Sequence, residues 1–158
     1  MLALRPSRLD IAKGRFAFLM GLYAENYWQL IRLFGADKLE CGRYVSRAGD
    51  DLNVAIDVIE RHPYTLELKL SYEFRDEATG EPDPSAYVRL YRDARVAEVT
   101  TCYVDARLED LLGRDADAKT VFDHRLRMNS FLNKWLAYLG ERGHSRFTLR
   151  LEPEPAVS

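Results

Sequence analysis

Tyr87-Val88-Arg89-Leu90-Tyr91-Arg92-Asp93-Ala94-Arg95-Val96-Ala97-Glu98-Val99-Thr100 reads as two alternating strands joined by a tight polar turn. Closing the loop between Tyr91 and Val96 sets Leu90 against Ala97 and Val88 against Val99 on one side. The same register sets Arg89 against Glu98 and Tyr87 against Thr100 on the other. One side is then wholly apolar and the other carries an opposite-charge pair, which is what a half-buried antiparallel hairpin needs. Asp93 suits the turn because its side chain can bond its own backbone.

Upstream of this hairpin the alternation continues. Leu66, Leu68, Leu70, Tyr72 and Phe74 alternate with Thr65, Glu67, Lys69, Ser71 and Glu73. Before them Leu52, Val54, Ile56 and Val58 alternate with Asn53, Ala55 and Asp57, and Arg43 to Ser46 forms a shorter strand. Closing Arg61 on Thr65 pairs Asp57 with Lys69, whereas closing Glu60 on Tyr64 would oppose Asp57 and Glu67. The first register is preferred because like charges directly opposite are unfavourable. Ala48 to Asp51 makes a turn. Arg75 to Ser85, rich in Gly, Pro and acids, makes a loop, and Arg107 to Ala118 a second connection.

Helical periodicity flanks the strands. From about Phe16 to Phe34, Leu19, Leu22, Tyr23, Asn26, Tyr27, Leu30, Leu33 and Phe34 recur at helical spacing. Met20 and Ile31 widen the arc, Trp28 lies just beyond its edge, and Gly35 suits the stop. So wide an arc cannot be covered by one sheet alone; it must also meet another helix or a partner chain. A second helix over about Lys119 to Leu139 presents Met128, Phe131, Leu132, Trp135, Leu136 and Leu139 on one face, with Gly140 or Gly143 ending it. Arg146 to Leu151 alternates and could add an edge strand, either to this sheet or by exchange with a second chain. The predicted fold is α+β: an N-terminal helix, an antiparallel meander of about five strands and a C-terminal helix, with both helices on one face of the sheet. Residues 1–15 form an N-terminal extension, 16–151 a single domain and 152–158 a disordered tail.

Bulk composition narrows the function. The 158 residues carry 23 basic and 25 acidic side chains for a net charge of −2, so no global field attracts phosphate backbones or anionic lipid, and nucleic acid is not expected as a partner. Charge is nonetheless segregated: residues 1–48 sum to +4, 49–123 to −9 and 124–158 to +3. Such segments could meet head to tail in an oligomer, or simply form solvated surface. Cys41 and Cys102 are isolated, the apolar run at the N-terminus is too short for a secretory signal, and no stretch approaches the ~20 apolar residues of a membrane span. A cytoplasmic protein with no membrane association is expected.

Chemistry is sparse. His62, His124 and His144 lack metal-ligand spacing and read as surface residues, Asp115-Ala116-Asp117 lacks the rest of a calcium loop, and no metal site is expected. Ser46 and Ser130 have no base nearby in sequence, and no glycine pattern cradles a phosphate or dinucleotide, so no catalytic residue and no cofactor is assigned. Asn26 and Asn129 stand out because each falls on or beside an apolar helix face, where an amide must find partners. They either tie the helices to neighbouring backbone or line a pocket with Arg125. Arg89 with Tyr87 and Tyr91 either forms the outer face of the sheet or binds an anionic or planar ligand.

Met20-x-Leu22, Asn26-Tyr27-x-Gln29-Leu30, Val88-Arg89-Leu90-Tyr91-x-Asp93-Ala94-x-Val96-Ala97-Glu98-Val99 and Asn129-x-Phe131-Leu132-x-x-Trp135-Leu136 resemble the YqiB-like bacterial proteins, small cytosolic proteins of unknown function. The resemblance spans about Phe18 to Tyr138 and implies no catalytic residues. A dehydrogenase label carried by some members finds no support in the glycine or strand-helix pattern here. The proximity of family genes to those of nucleotide hydrolases implies a nucleotide-linked role. Together these readings favour a non-enzymatic interaction or regulatory module, with a protein partner or a second copy bound through Met20 and Trp28. The alternative is an anionic metabolite or nucleotide bound at Asn26, Arg89, Tyr91, Arg125 and Asn129.

Overall fold

A computed structural model describes residues 7–49, 51–73, 84–103 and 118–153. The order is α1 (Arg8–Phe34), β1 (Gly42–Ser46), β2 (Val54–Arg61), β3 (Thr65–Tyr72), β4 (Ser85–Tyr91), β5 (Val96–Tyr103), α2 (Ala118–Glu141) and β6 (Leu149–Leu151). The strands form one antiparallel sheet in the order β5-β4-β3-β2-β1-β6, so the expected meander gains a sixth strand beside its first. The loop expected over Arg75–Ser85 and the connection expected over Arg107–Ala118 lie mostly outside the described residues, as does Phe74. Ser85 itself is a buried residue of β4.

The hairpin register holds from Tyr91↔Val96 to Val88↔Val99 and then shifts, so Tyr87 faces Thr101 rather than Thr100. The bulge has a clear cause. Without it Thr101 would point at the helices and Cys102 away; with it Cys102 packs on the core. A second bulge interrupts β2 and β3. Asp57↔Lys69 and Val58↔Leu68 pair as expected, but Glu60 then faces Glu67 and Arg61 faces Leu66. The register closed on Thr65 would have turned Glu60 into the row of buried leucines. The shift instead places Arg61 there, where its guanidinium donates to the Asp37 and Leu39 carbonyls. Glu60 and Glu67 tolerate one another because each has another partner, His62 and Arg89 respectively.

Helix α1 starts at Arg8, not near Phe16, because Ser7 and Asp10 form a capping box: the Ser7 hydroxyl accepts from the Asp10 N–H and the Asp10 carboxylate from the Ser7 N–H. Among the side chains described, burial begins at Leu19, and Ile11, Phe16 and Phe18 are exposed, so these positions show no core periodicity. Gly35 caps the far end with its N–H on the Ile31 carbonyl. Helix α2 ends in a Schellman motif. The His144 N–H reaches the Leu139 carbonyl, the Gly143 N–H reaches the Gly140 carbonyl, and Gly143 has φ +96°.

The two helices run parallel, as the Arg15–Asp123 ion pair, the Asn26–Asn129 bond and the Leu33–Gly140 contact show in turn. Leu30 and Phe34 of α1 and Leu132, Leu136 and Leu139 of α2 meet Ile56, Leu66, Leu68, Leu70 and Leu90 of the sheet in one core. The Trp135 indole donates to the Tyr72 hydroxyl at 3.1 Å, which pairs the one polar atom of each ring. Leu52, expected in β2, lies before the strand and is exposed. At the other end of the chain Glu152, expected in the tail, is fixed by its N–H on the Arg43 carbonyl and by its carboxylate on Arg47.

Two consequences can be measured. Asn129→Ala strips the Val99 N–H of its side-chain acceptor and should cost about 1–3 kcal/mol in urea titration followed by tryptophan fluorescence; a loss below about 0.5 kcal/mol, ordinary for a surface change, would show that this bond contributes little. Gly143→Ala forces a side chain onto a left-handed backbone and should cost at least about 1 kcal/mol in the same assay; an unchanged midpoint would mean that the turn relaxes freely.

Candidate interaction surface

The residues singled out for ligand binding fall in separate places. Asn26 and Asn129 are sealed between the helices and β5. The Asn26 amide donates to the Asn129 carbonyl at 3.0 Å and accepts from Asn133 at 3.1 Å. The Asn129 side chain accepts the Val99 N–H at 2.9 Å and donates to the Arg125 carbonyl at 2.8 Å. Both amides are therefore occupied in holding helix to helix and helix to sheet. Arg125 lies by the Tyr23 hydroxyl, whose pKa is raised by burial and by Glu98 and only partly lowered again by Arg125.

Arg89 and Tyr91 lie on the face of the sheet opposite α1 and α2, away from the two asparagines. A groove of about 390 Å³ lies there, lined by Ile59, Glu67, Tyr87, Arg89, Thr100 and Thr101. Its guanidinium is already engaged: Arg89 Nε donates to Glu67 Oε1 at 2.8 Å, and bonds to Tyr91 and Glu67 push its pKa further up. Tyr91 donates to Glu98 at 2.7 Å, and burial followed by that bond raises its pKa. Arg43 grips Asp57 through both carboxylate oxygens at 3.0 Å, and Lys69 sits 5.4 Å from the Tyr87 ring centre. An anion entering this groove would have to compete with Glu67 for Arg89. Further along the same face Val45, Ala55, Ser71 and Ser85 form a cross-strand row that is buried.

The Trp28 end of the molecule is different. Trp28 is 44% exposed; the edge of its ring meets Tyr27, and the Arg95 guanidinium lies 5.9 Å from its centre. Arg95 belongs to the β4–β5 turn and has φ +56°, the one described non-glycine residue with positive φ. That conformation costs a branched or long side chain about 1–2 kcal/mol, whereas an exposed cation–π contact returns about 0.5–1 kcal/mol. Folding alone therefore does not account for an arginine at this position, where glycine or asparagine is the default. Arg32, one turn after Trp28, donates to the Trp28 carbonyl at 3.4 Å. Arg92 donates through its guanidinium to the His62 carbonyl and through its backbone to the Tyr64 carbonyl, which joins the turn to the 66% exposed Tyr64. Among the described residues Arg32, Arg92 and Arg95 have no ion-pair partner, while Arg43, Arg47, Arg61 and Arg89 on the sheet all do. Asp93 turns its carboxylate back onto the Ala94 N–H. Asp37 is the other nearby acid; burial and then Asp37 raise the Tyr27 pKa, against the lowering effect of Arg95 and Arg92. Met20, expected beside Trp28 in an interface, is also exposed, eight residues earlier on α1.

One constellation escaped the sequence entirely. His144, expected at the surface, is buried, with Nδ1 2.7 Å from the Ser46 hydroxyl and Nε2 3.0 Å from Asp51. An Nε2 facing a carboxylate carries the proton, so Nδ1 accepts from Ser46, whose oxygen in turn meets the Thr148 hydroxyl at 2.6 Å. The order of groups is that of a nucleophile, base and orienting acid, yet Ser46 is 0% exposed on an inner strand. A neighbouring cleft of about 450 Å³ reaches Asp51 and Thr148 but not Ser46 or His144. The cluster ties β1 to the turns on either side. The helix-ending Gly143 before His144 and the turn before Asp51 are its only traces in the sequence.

Among the described residues no helix is long and apolar enough to cross a membrane, and no three His, Cys, Asp or Glu side chains are grouped to hold a metal. No curated protein and no solved structure matches the chain. A family model described as a protein of unknown function, DUF1249, matches residues 29–145, a span from the end of α1 through all of α2. With most of its length so matched, the chain belongs to the DUF1249 family of proteins of unknown function.

Proposed function

We propose that this chain is a non-enzymatic interaction module and that it meets its partner through the Trp28 end. The observation that carries this reading is the Arg95 guanidinium over the half-exposed Trp28 ring, with Arg32 on the Trp28 carbonyl and Arg92 in the same turn region as Arg95, none of the three ion-paired among the described residues. Tryptophan, tyrosine and arginine are the residue types that dominate interface energetics, because they bury large areas and form directional bonds at little entropic cost. Part of each edge strand is engaged within the chain, which favours such a surface over strand addition. Helix α1 lies along β5. At β6 the Arg150 guanidinium donates to the Phe147 and Leu149 carbonyls; the latter faces away from β1, since Thr148 and Glu152 are the residues bonded to it. The burial of Ser46 supports the non-enzymatic part.

Two experiments test it. Immobilised protein should retain a partner from extracts of its source cells, lose it on Trp28→Ala with Arg95→Glu, and keep it on Arg43→Ala, whose charge lies on the sheet; equal retention by all three would remove the Trp28 end from consideration. A fluorophosphonate probe should leave Ser46 unlabelled in the folded protein, and labelling there would mean that the buried serine is an accessible nucleophile after all.

A further inference from the structure

Resting on that reading, we infer that the partner presents an acidic segment, in which carboxylates flank an apolar side chain. The backbone of Arg95 is the first ground. A turn residue with φ +56° is filled by arginine although glycine fits it without strain, and the side chain so placed is aimed across the exposed ring of Trp28. Its guanidinium keeps its donors, since a contact with a ring face uses none of them.

Charge is the second ground. Arg95 lies over the ring, Arg32 at the end of α1 donates to the Trp28 carbonyl, and Arg92 beside the β4–β5 turn donates to the His62 carbonyl. Arg92 Nε is buried and has no hydrogen-bond partner, although another nitrogen of the same group holds the His62 carbonyl. The acids nearby do not neutralise the set. Asp93 is occupied by its own turn, and neither it nor Asp37 forms an ion pair with any of the three. His62 on the adjoining turn is taken by Glu60. A planar guanidinium beside an aromatic ring suits a carboxylate bound edge-on with an apolar neighbour against the indole.

A second copy of the same patch is disfavoured, because it would bring three further arginines against these three. Nucleic acid would use the same charges, but it also needs a basic track longer than one turn and one helix end. The sheet offers none, since Arg43 and Arg89 there are ion-paired.

The test uses the full chain and a short fluorescent peptide alternating Glu with Leu and Phe, beside a counterpart with every Glu replaced by Gln. Anisotropy should show binding of the acidic peptide that weakens as salt rises, with the Gln peptide at least about tenfold weaker. Arg95→Gly removes the guanidinium and restores the unstrained residue. It should abolish binding while thermal stability stays level or rises, and Arg92→Glu should weaken binding at least as much. An acidic peptide that does not bind, or that binds Arg95→Gly as well as the native chain, overturns the inference. So does a fall in stability of Arg95→Gly with binding intact, which would make Arg95 a structural clamp on Trp28. Tighter binding of a single-stranded oligonucleotide at the same residues overturns it in favour of nucleic acid.

The two levels separate cleanly. A cellular partner lost on Trp28→Ala with Arg95→Glu, yet neither released by salt nor displaced by the acidic peptide, leaves the surface in place and removes the acidic chemistry. A partner retained by that variant removes the surface itself.

Discussion

The Val99 N–H lies beside a bulge on the outermost strand, and it is a side chain of α2 that accepts its hydrogen bond. A backbone donor left bare in an interior costs as much as a lost hydrogen bond and more. The Asn129 amide supplies the acceptor, and in doing so fixes the height and rotation of α2 over β5. Asn129 also offers its own carbonyl to Asn26, so α1 takes its position from α2 rather than from the strands alone. Apolar packing is adaptable to a few tenths of an ångström, but a hydrogen bond between sealed amides is not. The seam of three asparagines therefore sets the register in which the leucines of both helices meet the sheet.

That placement carries through to the surface. With α1 laid along β5, Trp28 comes within reach of the β4–β5 turn, and Arg95 closes over it. On the far side of the sheet the ionic groups are organised differently. Arg43 with Asp57, Glu67 with Arg89 and Tyr91 with Glu98 form cross-strand pairs, so that face satisfies itself. The contrast between a self-satisfied face and an end with spare guanidiniums is electrostatic, and it arises from which residues the hairpins bring opposite one another.

The order of the meander strands, the register beside the β4–β5 turn and at Asp57 opposite Lys69, and the interior face of both helices were readable from alternation, because one wrong step there would have buried a charge. The two bulges were not. A bulge is a compromise between neighbouring demands: here Glu60 and Thr101 must stay out while Arg61 and Cys102 go in, and simple alternation has no way to express an inserted residue. The start of α1 was missed because the reading followed apolar periodicity, whereas those turns rest on Ser7 and Asp10, whose spacing was there to be seen. Asn26 and Asn129 were recognised as residues needing partners, and which partners they took depended on the fold. His144 was misplaced for a related reason. Ser46 and Asp51 lie 98 and 93 residues from it, and nothing local marks a histidine as the hub of a buried polar cluster.

The parallel course of the two helices bears on how the chain is made. Antiparallel helices joined by a short loop can zip together as they form, but parallel ones must await everything that lies between them. The bond between Asn26 and Asn129 spans 103 residues, and the entire meander has to be synthesised before it can close. During translation α1 emerges before the meander and α2, with its broad apolar arc facing no completed surface. A chain of this topology folds late and slowly for its size, and its first helix is the part most exposed to wrong associations before α2 leaves the ribosome.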